Sequence, residues 1–329
     1  MADRVAPDSG GTYMTRKTSN AANNDRPDAA QLPARTFRIG GHDIAARPVT
    51  PGLYLVSTPI GNLGDMTLRG LETLAGADII ACEDTRVSRV LLDRYGIATR
   101  PYAYHEHNAD RVGPKLIAAL EAGKSVALIS DAGTPLVSDP GYRLSQTAIA
   151  AGVAVIPIPG ASAPLAALVA SGLPSDAFLF AGFLPSRDKA RRDRLSNFAT
   201  TAATLMFFES PNRLAASLKS AADVLGADRP AAVCRELTKA YEEIRRGTLG
   251  ELAAQYQGET VRGEIVLAIG PGQAAAPSEE DVDALLARLA RDLPAGKAAT
   301  EAAQLTGLAR KDLYQRLLQM KETAPKGDQ

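Results

Sequence analysis

The sequence predicts an α/β protein of two domains followed by a small helical appendage. In the first half, short apolar strands alternate with helical patterns, which is typical of a mostly parallel sheet covered on both faces. After Gly172 the strands follow one another more closely, which favours a second, α+β domain with a mixed sheet. The length of 329 residues agrees with two domains plus appendages.

The first domain is expected over residues 51–173. Residues 1–50 are polar and lack periodicity, so we expect a disordered extension there. The predicted strands cover 51–57, 77–82, 125–130 and 153–156. The predicted helices cover 68–74, 87–95, 116–121, 142–151 and 164–171.

The second domain is expected over residues 174–271, with strands at 178–180, 205–208, 231–235, 243–247 and 264–269. The third and fourth of these lie close together, which indicates an antiparallel pair. A linker rich in Gly, Ala and Pro then leads to the appendage, residues 279–322, with helical patterns at 282–293 and 298–320. Its Leu305–Leu308 turn resembles a helix-turn-helix, although a docked helical hairpin explains the pattern equally well.

Composition excludes several classes of protein. Lys plus Arg and Asp plus Glu both number 37, which rules out a uniformly basic nucleic-acid coat. Two cysteines and three histidines leave little material for a disulfide scaffold or a metal centre. The polar N-terminus is not a secretory signal, and glycines and prolines interrupt the uncharged stretch 144–175, so we expect a cytoplasmic protein without a membrane span.

Three glycine-containing loops follow predicted strands, where open α/β sheets hold their ligands. They cover 58–65, 130–141 and 157–164. None has the spacing of a dinucleotide-binding loop, a P-loop or a serine-hydrolase elbow. Each also has a structural explanation: a tight turn in the first, a helix cap by Asp139 before Pro140 in the second, and a cap by Ser162 in the third.

Taken together, the loops and several further motifs resemble the tetrapyrrole methylase superfamily of S-adenosylmethionine-dependent methyltransferases. Within it, the sequence is most similar to the ribosomal RNA small subunit methyltransferase I family. The motifs are Thr58–Asp65, Glu83–Arg86, His105–Asn108, Ser130–Pro135, Gly172–Asp176, Phe208–Leu214 and Arg235–Lys239.

This resemblance implies a two-domain tetrapyrrole-methylase-like fold, a homodimer, and S-adenosylmethionine bound in the cleft between the domains. It also implies 2′-O-methylation of a cytidine, nucleotide 1402, in the decoding region of 16S rRNA in the small ribosomal subunit. The implied cofactor contacts are Pro59, Asp131, Gly133, Thr134, Val137, Ser162 and Ala163. No metal is required for this reaction.

A ribose hydroxyl is a poor nucleophile at neutral pH, so a nearby base is expected to remove its proton. Our candidates for this base are Asp84 and His105, with Arg86 and Lys239 as electrostatic helpers. The alternatives are a helix cap at Asp84, a surface loop at His105 and a simple ion pair at Lys239.

Because the net charge is zero, RNA contact must be local. The densest basic run, 187–194, favours phosphate contacts by Arg187, Arg191, Arg192 and Arg194, extended by Arg213. A solvated helix face is the simpler alternative. Three other functions stay open: a small-molecule methylase, an RNA-binding assembly factor without catalysis and, remotely, a nucleotide hydrolase.

Overall fold

The computed structural model describes residues 35–138, 141–272 and 279–323. The described chain begins with an antiparallel hairpin, β1 (Thr36–Ile39) and β2 (His42–Ala45). Phe37 is buried against the first hydrophobic core, which includes Leu71 and Ile97. The prediction of disorder up to residue 50 is therefore wrong for the hairpin, because one apolar side chain anchors it; residues 1–34 lie outside the described residues.

The first sheet is entirely parallel and places its central strands β3 and β6 side by side. Its strand order is β5-β4-β6-β3-β7. The strands are β3 (Gly52–Val56), β4 (Ile79–Cys82), β5 (Pro101–Ala103), β6 (Ser125–Ile129) and β7 (Val155–Ile158). Only the three-residue β5 was not predicted, because it is too short to show a periodicity.

Five helices belong to this part of the chain: α1 (Leu68–Gly76), α2 (Thr85–Arg94), α3 (Ala109–Glu121), α4 (Tyr142–Ala150) and α5 (Ala163–Ser171). The side chain of Thr67 caps α1 and that of Asp84 caps α2. Helix α3 starts seven residues before its predicted start and contains Pro114. The predicted cap by Asp139 lies outside the described residues.

The second sheet is mixed, with strand order β11-β10-β12-β9-β8. Its strands are β8 (Phe178–Phe183), β9 (Thr204–Glu209), β10 (Pro230–Arg235), β11 (Glu243–Thr248) and β12 (Ile265–Ile269). Strands β8 and β9 are parallel, whereas β10 and β11 form the predicted antiparallel pair. Helices α6 (Asp188–Ser196), α7 (Leu214–Leu225) and α8 (Leu249–Gln255) accompany this sheet.

Helix α5 connects the two sheets. It packs against β9, β10, β11 and β12, and its Ala167 and Leu168 are buried with Cys234 and Val266. At the end of the helix, Arg246 donates hydrogen bonds to the carbonyl oxygen of Ala170 at 2.6 and 3.2 Å. These contacts hold the carboxyl ends of the first sheet against the second sheet.

The appendage consists of α9 (Glu279–Asp292), α10 (Ala295–Thr306) and α11 (Arg310–Thr323). Gly307 ends α10 with a φ of +71°, a conformation that glycine adopts without strain. The three helices share a small core around Leu286, Ala302 and Leu317. Across the described ranges, every helix is too short or too polar to cross a membrane.

Candidate functional site

The three predicted loops meet at the carboxyl ends of β3, β6 and β7. Thr58 and Gly133 exchange two backbone hydrogen bonds, of 2.9 and 3.1 Å, which join the first loop to the second. The hydroxyl of Thr134 lies 3.1 Å from that of Ser57 and donates to the carbonyl oxygen of Ala161 at 3.2 Å. The three loops therefore form one hydrogen-bonded platform.

Above this platform lies an apolar cleft of about 200 Å³, closed on its other side by the second sheet. Five of the predicted cofactor contacts line it: Gly133, Thr134, Val137, Ser162 and Ala163. Pro59 and Asp131 do not. The apolar cleft is therefore lined by residues of the second and third loops, which are almost thirty positions apart in the sequence.

The opposite wall was missed by sequence reasoning. It contains Phe183, Phe208, Leu237 and Val266, together with the carboxylate-bearing Glu264. Phe208 and Leu237 fall within motifs that we singled out, but nothing in the sequence showed that their side chains would face the loops. Their apolar character is equally typical of ordinary core residues.

The lining of this apolar cleft fits S-adenosylmethionine. Aromatic and branched side chains provide flat apolar contact for an adenine ring. Helix α5 starts at the cleft, and the Ser162 side chain makes no capping bond within the described chain. The backbone N–H groups at the start of α5 can therefore receive a carboxylate.

A second, polar cleft of about 510 Å³ lies over the ends of β4 and β6. It brings together Asp84, Arg86 and His105, which we predicted as catalytic, and Asp131, which we predicted as a cofactor contact. Glu83, Thr85, Ala103, Glu106 and His107 complete its lining. The polar cleft and the apolar cleft are adjacent, because Asp131 lines the former and its neighbours Ala132 and Gly133 line the latter.

Asp84 is held firmly at the start of α2. Its carboxylate accepts the backbone N–H of Arg86 at 2.8 Å and pairs with the Arg86 guanidinium at 2.6 Å. The hydrogen bonds from Arg86 lower the pKa of Asp84 to about 2. The helix-cap interpretation therefore holds for Asp84, and so weak a base is poorly suited to remove a hydroxyl proton.

His105 is positioned by a short 3-10 turn at residues 106–108. Its backbone N–H donates to Asn108 Oδ1 at 2.9 Å. Its ring atom Nδ1 is buried and has no hydrogen-bond partner among the residues that the structure describes. An unsatisfied buried nitrogen costs stability, and the residue that carries it lines the polar cleft.

Asp131 connects the polar cleft to the start of α2. Its Oδ1 accepts the backbone N–H of Asp84 at 3.1 Å. Burial, reinforced by the negative charge of Asp84 and opposed by this hydrogen bond, raises the pKa of Asp131. Two neighbouring carboxyl groups thus have pKa values shifted in opposite directions, which is typical of sites that handle protons.

Lys239 lies beside the apolar cleft, away from the other predicted catalytic residues. Its ammonium group pairs with Glu236 at 2.7 Å and with Glu264 at 2.9 Å. Partial burial lowers the pKa of Lys239, but the hydrogen bonds to both carboxylates outweigh it and raise the pKa. The ion-pair interpretation therefore describes Lys239, which remains charged and supports the rim of the cleft.

The prediction that Arg191 contacts RNA is wrong. Its side chain is only 5% exposed and binds Ser220 Oγ at 3.0 Å, Asp188 Oδ1 at 2.8 Å and the Ser186 carbonyl oxygen at 3.1 Å. In α6 the basic run winds around the helix, so Arg191 lies on the buried face together with Leu195. A guanidinium placed there ties α6 to α7 and cannot reach a phosphate.

The other predicted RNA residues differ in availability. Arg192 is paired with Asp188 and Asp223, and Arg213 with the fully buried Glu209 at 3.1 Å. Arg187 and Arg194 are exposed, and the Arg194 guanidinium lies 4.8 Å from the centre of the Phe198 ring. Among the predicted residues, this exposed pair is therefore the one that remains open to a phosphate.

Two family models match parts of this chain. The family model described as Tetrapyrrole (Corrin/Porphyrin) Methylases matches residues 52–253. A second model, described as RsmI C-terminal HTH domain, matches residues 276–321. The helix-turn-helix resemblance of the appendage is confirmed by this second match.

Two relatives show how far the similarity extends. A protein of Mesorhizobium japonicum named ribosomal RNA small subunit methyltransferase I is 62% identical over 88% of this chain and 99% of its own length. A protein of the same name from Escherichia coli O157:H7 is 45% identical over 81% of this chain and 94% of its own.

Solved structures agree on the fold. A cobalt precorrin-4 methyltransferase superposes with a TM-score of 0.50 at 18% identity, over 66% of this chain and 94% of that one. A diphthine synthase superposes with a TM-score of 0.50 at 17% identity, over 66% and 89%. The predicted two-sheet methylase fold is confirmed.

Proposed function

This chain belongs to the ribosomal RNA small subunit methyltransferase I family of tetrapyrrole methylases, and we propose that it methylates the 2′-hydroxyl of a cytidine in 16S rRNA. The observation that carries this proposal is the junction of the two clefts at Asp131–Gly133. There Asp131 lines a polar cleft suited to a ribose, and Ala132 and Gly133 line an apolar cleft suited to the cofactor. We assign the target to nucleotide 1402.

S-adenosylmethionine supplies a methyl group on a positively charged sulfur. The loops need only fix its position, because holding two reactants in line accounts for much of the rate enhancement in such reactions. The hydrogen-bonded platform of Thr58, Gly133 and Thr134 provides that rigidity. In the polar cleft, the exposed Arg86 and the His105 ring are placed to orient the acceptor nucleotide.

The RNA approaches, in this proposal, past the start of α6. Arg187 follows the cleft-lining Phe183 by four residues, so its backbone lies within about 14 Å of that residue. Arg187 then binds a phosphate near the apolar cleft, and Arg194 in the last turn of α6 binds another, which positions the RNA without reading its sequence. The helix-turn-helix appendage offers a second contact through Arg310 and Lys311 at the start of α11.

The quaternary state and the location are further parts of the proposal. Strand β8 is an edge strand whose Phe178, Leu179 and Phe183 are exposed, and an apolar sheet edge favours association. We therefore propose a homodimer, which sedimentation of the purified protein would test. A cytoplasmic location follows from a ribosomal substrate.

The decisive experiment is transfer of labelled methyl from S-adenosylmethionine to small ribosomal subunits that lack this modification, followed by mapping of the labelled nucleotide. We expect one label on a cytidine 2′-oxygen of 16S rRNA. Label on a tetrapyrrole precursor instead would establish a small-molecule methylase. Binding of subunits without any consumption of bound cofactor would establish an assembly factor.

A further inference from the structure

We propose that Asp131 accepts the proton of the hydroxyl that is methylated. This inference rests on the proposed function and assigns Asp131 to the acceptor side of the reaction. The resemblance to the family implies a cofactor contact for Asp131, but its side chain faces the other cleft.

Asp131 lies on the segment of chain between the two clefts. Asp131 lines the polar cleft, while Ala132 and Gly133, the next two residues, line the apolar cleft. In the proposed reaction, the methyl group passes from the apolar cleft to the polar cleft beside this segment. The Asp131 carboxylate is therefore a side chain that the attacking oxygen meets as it reaches the methyl carbon.

One carboxylate oxygen of Asp131 is available to a substrate hydroxyl. Asp131 uses Oδ1 to accept the backbone N–H of Asp84 at 3.1 Å, which fixes the orientation of its carboxylate. No donor within the described ranges hydrogen-bonds its Oδ2. Asp84, by contrast, already accepts hydrogen bonds from the backbone and the guanidinium of Arg86 on both of its oxygens.

The electrostatic surroundings favour the same group. The charged and titratable groups facing Asp131 are Glu83, Asp84 and Arg86 from the start of α2 and His105, Glu106 and His107 from the neighbouring 3-10 turn. Burial and the charge of Asp84 raise the pKa of Asp131, which makes its carboxylate a stronger base than an exposed aspartate.

The step balances in atoms and charge. The hydroxyl oxygen forms a bond to the methyl carbon while the carbon–sulfur bond breaks, and its electron pair remains on the sulfur. The hydroxyl proton passes to Asp131 Oδ2 and then through the open polar cleft to water. One positive sulfur and one carboxylate are thereby converted into a neutral thioether and a neutral carboxylic acid.

The test compares Asp131→Asn with Asp110→Asn, an exposed carboxylate on α3 that pairs with Arg143 outside both clefts. Asparagine keeps an oxygen for the Asp84 N–H but is not a base. We expect Asp131→Asn to slow single-turnover methyl transfer by about 100-fold or more, which is typical of a lost general base. Calorimetric affinity for S-adenosylmethionine should stay within about threefold, and Asp110→Asn should match the wild type in both measurements.

A binding measurement without turnover gives an independent readout. Small subunits are reconstituted with either a cytidine or a 2′-deoxycytidine at the target, and binding is measured with S-adenosylhomocysteine bound. The wild type should prefer the hydroxyl-bearing subunit by about fivefold, because Asp131 accepts its hydrogen bond. Asp131→Ala should bind both subunits equally.

Three outcomes would overturn the assignment. A loss of cofactor affinity of about 100-fold in Asp131→Asn would make Asp131 a cofactor ligand. Undiminished transfer by Asp131→Asn, or hydroxyl preference that survives in Asp131→Ala, would place the base elsewhere, with His105 the next candidate. If the wild type and Asp110→Asn both bind cofactor yet methylate no 16S rRNA, the proposed function itself fails, and the role of Asp131 with it.

Discussion

The side chain of Lys239 lies directly over Gly61, so closely that a Cβ added at position 61 would overlap it. Gly61 belongs to the first loop of the parallel sheet, and Lys239 follows β10 of the mixed sheet. Between Lys239 and β10, Glu236 and Thr238 have positive φ angles of +51° and +66°. This segment is held in a strained conformation against the loop, beside the apolar cleft.

Replacement of Gly61 by Ala should therefore displace Lys239 from Glu236 and Glu264. Because Glu264 lines the apolar cleft, we expect S-adenosylmethionine affinity to fall by about threefold to tenfold and the melting temperature to drop by a few degrees. Calorimetry measures the affinity, and thermal melting measures the change in melting temperature. Gly113→Ala, in α3 with only Tyr104 within 4 Å, is the matched control and should melt no lower than the wild type. Equal behaviour of the two variants would remove Lys239 from the support of the cleft.

The basic run of α6 should separate into a structural and an RNA-binding part. Arg191→Ala leaves Ser220 and Asp188 without their buried partner and should lower the free energy of unfolding by about 1–3 kcal/mol. Chemical denaturation measures this. Its RNA affinity, normalised to folded protein, should not change.

The double variant Arg187→Ala/Arg194→Ala should melt close to the wild type but bind small subunits more weakly. Loss of two phosphate contacts should also reduce the salt dependence of binding, by a slope of roughly one to two. Titrations at several salt concentrations check this. An unchanged slope would identify the run as an ordinary solvated helix face.

The two aspartates of the polar cleft should affect stability with opposite signs. The lowered pKa of Asp84 means that the folded state favours its charged form, so its contribution is present above about pH 4 and disappears as the pH falls towards about 2. Asp84→Ala should thus lower the melting temperature by a few degrees at neutral pH, with a smaller difference near pH 3.

Asp131 should behave in the opposite way. Its raised pKa means that folding favours the protonated form, so its charge costs stability at neutral pH and this cost disappears as the pH falls through the raised pKa. Asp131→Asn should melt at the same temperature as the wild type or slightly higher at pH 7. A clear destabilisation at pH 7 would show that its hydrogen bond to Asp84 outweighs the cost of its burial.

The alkylation rate of Cys234 reports whether the apolar cleft is occupied. Cys234 lines this cleft, and its burial raises the pKa of its thiol to about 11, so little thiolate exists at pH 8. We expect Cys234 to be alkylated far more slowly than an exposed thiol, and more slowly still when S-adenosylhomocysteine is bound. Cys82 is also buried but lies outside the lining, so cofactor should not alter its rate. Equal protection of both thiols would indicate a global change in stability.

Much of the fold was predictable because its strands are short, apolar and separated by glycines and prolines. Apart from β5, the order of elements from β3 to β7 follows from such patterns, as does the antiparallel pair β10–β11. The hairpin β1–β2 and helices α7 and α8 were missed. Phe37 shows why: one buried side chain stabilises a polar hairpin, and a single residue has no periodicity.

By itself, the sequence determined the fold class, the three loops at the strand ends and the family, because local periodicity and motif order depend only on neighbouring residues. Only the tertiary structure decided how these motifs divide between two clefts. It placed Asp131 in the polar cleft, buried Arg191 and placed Lys239 over Gly61. Each depends on contacts between residues that are far apart in the chain, and burial and pairing, not residue type, determine what a carboxylate or a guanidinium can do.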